Sequence, residues 1–311
     1  MIQDFVGSVP FLVRVKDFIM LLRVAHWAKN LFLYIPLFFA GELFEIGKII
    51  DLTAGVIAFC LVASGVYILN DYKDLDKDRQ HPVKKYRPLA AGSISIPFAF
   101  VVMVICLSCG LALGWHCGMK FLMVLAAYLL INLLYSFGLK KISILDILLI
   151  ATGFMLRIKA GGILAAVGIS QWLTIIVFLL ALFLALGKRR DDLLIKTSST
   201  ETVRQALSGY NADFLNVSLA IVSAVMMMSY LMYTLSPEVI GHMGTYRLYY
   251  TSIFVGAGLM RYLQLIYVKK DTRSPTKVLY KDHFIQICIF LWVLSFYCLI
   301  YLNDFRLNHL E

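Results

Sequence analysis

Residues 70–92 read NDYKDLDKDRQHPVKKYRPLAAG, the most charged stretch of a very apolar chain. Asp71, Asp74, Asp76 and Asp78 stand beside Lys73, Lys77, Arg79, Lys84, Lys85 and Arg87. Long apolar runs flank the stretch on both sides. Opposed charges gathered at the edge of an apolar region suit a ligand that is itself highly charged.

The apolar runs set the fold class. Of 311 residues, 60% are hydrophobic, and mean hydropathy is +0.80. A soluble domain is only about half apolar. Runs of about 20 apolar residues recur, the length that crosses hydrocarbon as a helix. They do not alternate as barrel strands would. The expectation is an all-α integral membrane protein, a single polytopic domain over 1–311 with no soluble domain. Residues 1–26 carry Arg14, Lys16 and Arg23 among apolar positions and predict an interfacial N-terminal helix. No cleavable signal pattern is present, so the first span is expected to stay as an anchor. Transmembrane helices are expected at 27–45, 48–70, 97–115, 119–138, 143–166, 170–188, 213–235, 247–268 and 284–303, nine in all. The charged loop after span two and the Lys188–Asp192 run KRRDD after span six lie four helices apart. That spacing suggests two four-helix halves and an additional ninth helix.

Loop charge gives the expected orientation. The loops after spans two, four, six and eight hold Lys73–Arg87, Lys140–Lys141, Lys188–Arg204 and Lys269–Lys281. The other loops are nearly free of Lys and Arg. The positive-inside rule puts the basic loops and the N-terminus in the cytoplasm, in a multi-pass plasma-membrane protein. The net charge of +10 then marks topology and phosphate-bearing ligands rather than nucleic acid. Cys106 and Cys109 have CxxC spacing but lie inside an apolar run with no second pair, which argues against a metal or redox role.

If the helix of span two continues through the acidic stretch, Asn70, Asp71, Asp74 and Asp78 sit at about 0°, 100°, 40° and 80° around it. Asp76 falls on the far side. Pro82 ends the helix near His81. Oxygen donors on one face, without Cys or His, suit a hard cation such as Mg²⁺ that completes its shell with waters and substrate phosphates. Arg79, Lys84, Lys85 and Arg87 follow, and Arg and Lys both serve phosphate. Arg157 and Arg261 lie inside apolar spans, where a charge normally faces a polar cavity or a partner. Lys29 and Asn30 mark the mouth of span one; Tyr135, Lys140 and Lys141 close span four.

The motif Asn70-Asp71-x-x-Asp74-x-x-x-Asp78, with nine spans around it, resembles the UbiA superfamily of intramembrane prenyltransferases. The resemblance covers essentially the whole chain. That family's second signature is another Asp-rich motif after span six. Here the position holds LGKRRDDLL, Leu186–Leu194. A basic second motif is similar to the branch that moves phosphoribose from phosphoribosyl pyrophosphate to a polyprenyl phosphate. HWAKN (His26–Asn30), HPVKKYRPLAAG (His81–Gly92), YSFGLKK (Tyr135–Lys141) and SPTKVLYKDH (Ser274–His283) resemble the same branch. The acid of the second motif falls on Asp192 or Asp191.

The resemblance implies a Mg²⁺-dependent transferase. Asn70, Asp74 and Asp78 would be catalytic and, with Asp71, would hold the metal. Lys29, Asn30, Arg79, Lys84, Arg87, Tyr135, Lys140, Arg157, Lys188, Arg189 and Asp192 would contact substrate. A phosphoribosyl donor and a phosphate acceptor carry more charge than a prenyl diphosphate and a neutral acceptor, which accords with KRR in place of an acidic motif. The alternatives are a prenyltransferase using a polyprenyl diphosphate and an aromatic or other small acceptor, and a transporter of a phosphorylated solute. Clustering of the acids at one face, away from the midplane, argues against the transporter.

Overall fold

Helices account for all regular structure among the described residues of this computed structural model, which are 11–198, 205–268, 278 and 281–302. The element order is α1 (Phe11–Leu21), a 3-10 segment (Val24–Tyr34), α2 (Ile35–Phe39), α3 (Ile46–Lys73), α4 (Leu75–Gln80) and α5 (Pro88–Ala91). Then come α6 (Ile96–His116), α7 (Met119–Phe137), α8 (Leu145–Ala165), α9 (Gln171–Ser198) and α10 (Ala212–Leu235). The chain closes with α11 (Pro237–Met243), α12 (Ser252–Tyr267) and α13 (His283–Tyr297), which runs into a π turn (Cys298–Leu302).

Among the described residues, seven helices are long and apolar enough to cross a bilayer: α3, α6, α7, α8, α9, α10 and His283–Leu302. An eighth arises if Val15–Leu21 and Val24–Phe39, bent by 48°, count as one span. The sequence leads to an expectation of nine. The expected span 247–268 is a 16-residue helix, α12, too short on its own to pass the same test. Along the spans many large apolar side chains face outward: Ile105, Met123, Val217, Ile221 and Phe290 are all exposed. In water such a surface would aggregate; in a bilayer it is the solvated face. The chain is a multi-pass membrane protein.

Of the four apolar clusters among the described residues, two frame the site. Phe59, Phe121, Leu125 and Ala160 pack α3, α7 and α8 around Leu33 of the 3-10 segment. Phe183, Leu215, Leu219, Tyr262 and Leu265 join α9, α10 and α12. Gly161 makes the first core possible: a Cβ there would run into the carbonyl of Leu33, so only glycine lets α8 lie against the 3-10 backbone.

Two local devices position the site. The 3-10 segment has about three residues per turn, so residues three apart stack in stripes. Trp27, Asn30 and Leu33 form an inward stripe, with Asn30 and Leu33 buried, whereas Ala25, Ala28 and Leu31 form an exposed one. His26 and Lys29 share the third. At the far end of α7, Gly138 takes φ 152°, which favours glycine, and the turn Leu139–Lys141 swings Lys140 back toward α3.

Candidate active site

The helical path of α3 runs almost unbroken into α4. The Asp74 N–H donates to the Asn70 carbonyl at 3.0 Å, and the Asp78 N–H to the Asp74 carbonyl at 2.8 Å. Only Asp74, at φ −96° and ψ 7°, leaves regular helical geometry. The motif residues Asn70, Asp71, Asp74 and Asp78 stand in two pairs held by different cations. Lys140 Nζ donates to Asn70 Oδ1 at 3.0 Å and to both Asp74 oxygens at 2.8 and 2.7 Å. Arg87 Nη1 donates to Asp71 Oδ1 at 3.0 Å and to Asp78 Oδ2 at 2.5 Å. Arg23 also pairs with Asp71. The spacings explain the split. Asn70 and Asp74 are one turn apart, Asp71 and Asp78 two turns apart on a neighbouring stripe. Asp76 points away from both, with its side chain 93% exposed and Arg79 at 3.7 Å.

Beside these pairs a cavity of about 240 Å³ opens between the 3-10 segment, α3, α7, α8 and α9. Arg23, Lys29, Arg157, Lys188 and Arg189 line it, with His26, Tyr67, Asn70, Tyr128, Asn132 and Tyr135. Among the described residues, no carboxylate is in that lining. Arg157 reaches it from α8, twelve residues or about 18 Å along the helix from Leu145. Its Nε donates to Asn30 Oδ1 at 2.8 Å, Nη1 to the Gly153 carbonyl at 2.8 Å and Nη2 to the Tyr128 hydroxyl at 2.9 Å. The guanidinium lies 4.6 Å over the Tyr128 ring. All these partners are neutral, so a buried positive charge is hydrogen-bonded without being cancelled.

The second motif is helical. α9 continues through Lys188–Asp192 instead of ending before it, which corrects the expected loop. Arg189 is 1% exposed, with Nε on Asp146 Oδ2 at 2.6 Å and Nη1 on Asp192 Oδ2 at 2.9 Å. Asp146 also accepts from the Tyr210 hydroxyl at 2.7 Å. Burial, and then the bond to Asp146, push the Tyr210 hydroxyl above its ordinary pKa, so it remains a donor at neutral pH.

A model of the UbiA prenyltransferase family matches residues 31–294. The chain belongs to that family. It is therefore a transferase. The decaprenyl-phosphate phosphoribosyltransferase of Corynebacterium glutamicum is 29% identical over 96% of this chain and 95% of its own length. The enzyme of the same name from Mycolicibacterium smegmatis is 28% identical over 90% of this chain and 91% of its own. Among solved structures, a UbiA homologue from Archaeoglobus fulgidus bound to DMAPP and Mg²⁺ superposes with a TM-score of 0.70 at 19% identity. It covers 91% of this chain and 99% of its own, and shows the shared fold.

On this UbiA scaffold the expected substrate contacts divide. Lys29, Tyr135, Arg157, Lys188 and Arg189 line the cavity, together with Asn70. Asn30 stands behind Arg157 as its hydrogen-bond acceptor. Lys140 and Arg87 meet carboxylates instead, and Asp192 meets Arg189. Arg79 and Lys84 do not line the cavity. Arg79 sits on the solvent side of α4 beside Asp76, one residue past the buried Asp78. Arg261 pairs with Asp282, the residue that caps α13, at 2.8 Å, and serves the fold. Of Ser274–His283, residues 274–277 and 279–280 lie outside the described residues, as do 199–204 and 269–273 of the basic loops.

Several residues of this UbiA cavity went unread in the sequence. Arg23 looked like an interfacial cation, but its backbone adopts φ 51° and turns the side chain onto Asp71 and the Tyr67 ring. Tyr128, Asn132 and Tyr67 are polar interruptions in apolar runs, a faint signal. Asp146, which lies behind the lining on Arg189, is a carboxylate in a predicted span, a stronger one.

The oxygen donors fit a hard metal in part. Among the described residues, no three His, Cys, Asp or Glu stand close enough to form a protein-only cage. Mg²⁺ does not need one: one or two carboxylates and substrate phosphates suffice. Asn70 Oδ1 and the Asp74 carboxylate already converge on a cation, the Lys140 ammonium.

Proposed function

We propose that this chain transfers 5-phosphoribose from phosphoribosyl pyrophosphate to a polyprenyl phosphate within the membrane and releases pyrophosphate. The observation that carries this reading is the cavity lined by Arg23, Lys29, Arg157, Lys188 and Arg189 with no carboxylate among its walls. Arg23 and Arg189 are paired with carboxylates behind the wall, but Arg157 is buried with neutral partners only, and a charge held that way in a low-dielectric site is costly until an anion enters. A donor with three phosphate groups and an acceptor with one supply that charge; a prenyl diphosphate with a neutral acceptor supplies less. The names of the two phosphoribosyltransferase relatives point the same way.

In this reading the C1–O bond to pyrophosphate breaks as C1 bonds to an oxygen of the polyprenyl phosphate. The acceptor is already an anion, so no side chain has to remove a proton. Lys29, Lys188 and Arg189 hold phosphate groups near the mouth, and Arg157 holds one deeper. Asn70 and Asp74, with Asp71 and Asp78, would hold Mg²⁺, which offsets charge on the leaving pyrophosphate when bound. Arg23 and Arg87 fix the buried Asp71, and Arg87 also fixes Asp78. The motif end faces the cytoplasm of a plasma-membrane enzyme, following the basic loops. Membership of a transferase family sets the transporter alternative aside.

The test is incubation of purified protein with labelled phosphoribosyl pyrophosphate and polyprenyl phosphate. A labelled, organic-soluble lipid is expected. Label transfer only from a prenyl diphosphate to an aromatic acceptor would overturn the reading.

A further inference from the structure

We infer that Asp146 is a positioning residue: it aims the Arg189 guanidinium into the cavity, and Tyr210 holds Asp146 in place. The role of Arg189 as a phosphate donor rests on the function proposed above.

The geometry is that of a fixed fork. Asp146 is fully buried in the first turn of α8 and takes Arg189 Nε on one oxygen and the Tyr210 hydroxyl on the other. Asp192 takes Nη1 from the next helical turn of α9. Arg189 Nη2 is left with no hydrogen-bond partner among the described residues, on a side chain that lines the cavity. A guanidinium is planar, so fixing two of its three nitrogens fixes the direction of the third.

Tyr210 is held in turn. Its oxygen accepts the Ile144 N–H at 2.5 Å. Ile144 has φ 69° and ψ −51°, a region that a β-branched residue rarely enters. Two residues later the chain delivers Asp146. Ser143 Oγ donates to the Ala206 carbonyl at 2.7 Å, so the segment Gln205–Tyr210 is fastened to the turn before α8. A strained backbone, a tyrosine and a loop from beyond α9 thus converge on one carboxylate. A buried ion pair is poor at adding stability. Its use here is direction.

The sign of one substitution separates positioning from simple charge. Asp146→Asn removes a negative charge close to the cavity. If Asp146 acted only through its charge, the variant would bind the anionic donor more tightly. If it positions Arg189, the variant binds the donor more weakly. Loss of a charge-assisted hydrogen bond corresponds to about a tenfold or larger change in an equilibrium constant.

The experiment is steady-state kinetics of the full chain in lipid nanodiscs, with thermal unfolding measured alongside. We expect Asp146→Asn to raise the donor KM about tenfold with kcat changed much less, and Asp146→Glu to recover part of the loss. In an Arg189→Gln background, Asp146→Asn should add nothing further. Tyr210→Phe, which leaves the Asp146–Arg189 pair intact, should raise the donor KM by a smaller factor. A donor KM that is unchanged or lowered in Asp146→Asn, or one that rises equally with and without Arg189, would overturn the assignment. If Asp146→Asn fails to insert, Tyr210→Phe decides, and an unchanged donor KM there overturns it. Should the wild type turn over only a prenyl diphosphate, the proposed function falls, and the same comparison with that donor still judges Asp146.

Discussion

Asn30→Asp tests the cavity's electrostatics with a single isosteric change. Asn30 Oδ1 accepts Arg157 Nε at 2.8 Å, and Asn30 is 1% exposed. A carboxylate in its place would form a buried ion pair with an arginine that now has only neutral partners. At a charge separation of about 4 Å and an effective dielectric of about 20, the attraction is ~4 kcal/mol. Desolvating the new carboxylate costs several kcal/mol. The two nearly cancel, so stability should change by no more than about 2 kcal/mol. The donor fares differently. A phosphate about 6 Å from the new charge meets repulsion of ~3 kcal/mol at the same dielectric, which is more than a hundredfold in affinity. The assay is the ligand-dependent rise in unfolding temperature, since a ligand that binds only the folded state stabilises it. Inorganic pyrophosphate and phosphoribosyl pyrophosphate serve as ligands. Unfolding without ligand should stay near wild type, and the ligand-induced shift should vanish. An Asn30→Asp protein with wild-type stability and an undiminished ligand shift would refute the idea that Arg157 holds uncancelled charge for an anion.

Other substitutions probe separate parts of the site. Asp74→Ala should abolish turnover while leaving insertion and unfolding temperature close to wild type, and excess chelator should do the same to the unaltered protein; full activity in either case would remove the metal from the reading. Arg79→Ala should keep kcat/KM within about twofold, because an exposed pair of this kind contributes little, and a large loss would return Arg79 to the substrate. Gly161→Ala should lower the unfolding temperature, at a cost of about 1–3 kcal/mol for an overpacked contact, since the added methyl meets the Leu33 backbone.

The sequence shows some of this site clearly and hides the rest, for identifiable reasons. Helix period and hydropathy depend on local residue type, so the apolar runs matched helices within a few residues over α3, α6, α7, α8 and α10. Helical spacing also separates Asp76 from the other acids, because angular position on a helix is a local property. What spacing cannot show is which cation reaches which acid. Lys140 meets Asn70 across 70 residues of chain, and Arg23 meets Asp71 across 48. Both contacts depend on backbone turns, at Gly138 and at Arg23, whose positive φ is written into the sequence only for the glycine. Arg79 and Lys84 are basic and close to the motif, yet neither lines the cavity: Arg79 sits beside Asp76 on α4, and Lys84 lies in the turn after it.

The 3-10 segment carries the least legible part of the site. Read as an α-helix, Val24–Tyr34 would turn about 100° per residue, and Phe32 would lie about 120° around the axis from His26. At about three residues per turn the two fall in line. That difference places Lys29 on the cavity stripe and Asn30 on the inward one, where it meets both Arg157 and Cys60 Sγ, the latter at 3.1 Å. A 3-10 run of eleven residues is unusual, because its hydrogen bonds are poorer than those of an α-helix. Here neighbours stabilise it. Gly161 lets α8 press on the Leu33 backbone, and Trp27 Nε1 donates to Ser64 Oγ of α3 at 3.1 Å. Ser64 Oγ in turn donates to the Leu22 carbonyl at 2.8 Å, just before the segment begins. The tertiary contacts that fix the unusual helix therefore also set which way Lys29 and Asn30 point. The anion-binding character of the cavity depends on packing at Gly161 and Ser64 as much as on the charged side chains themselves.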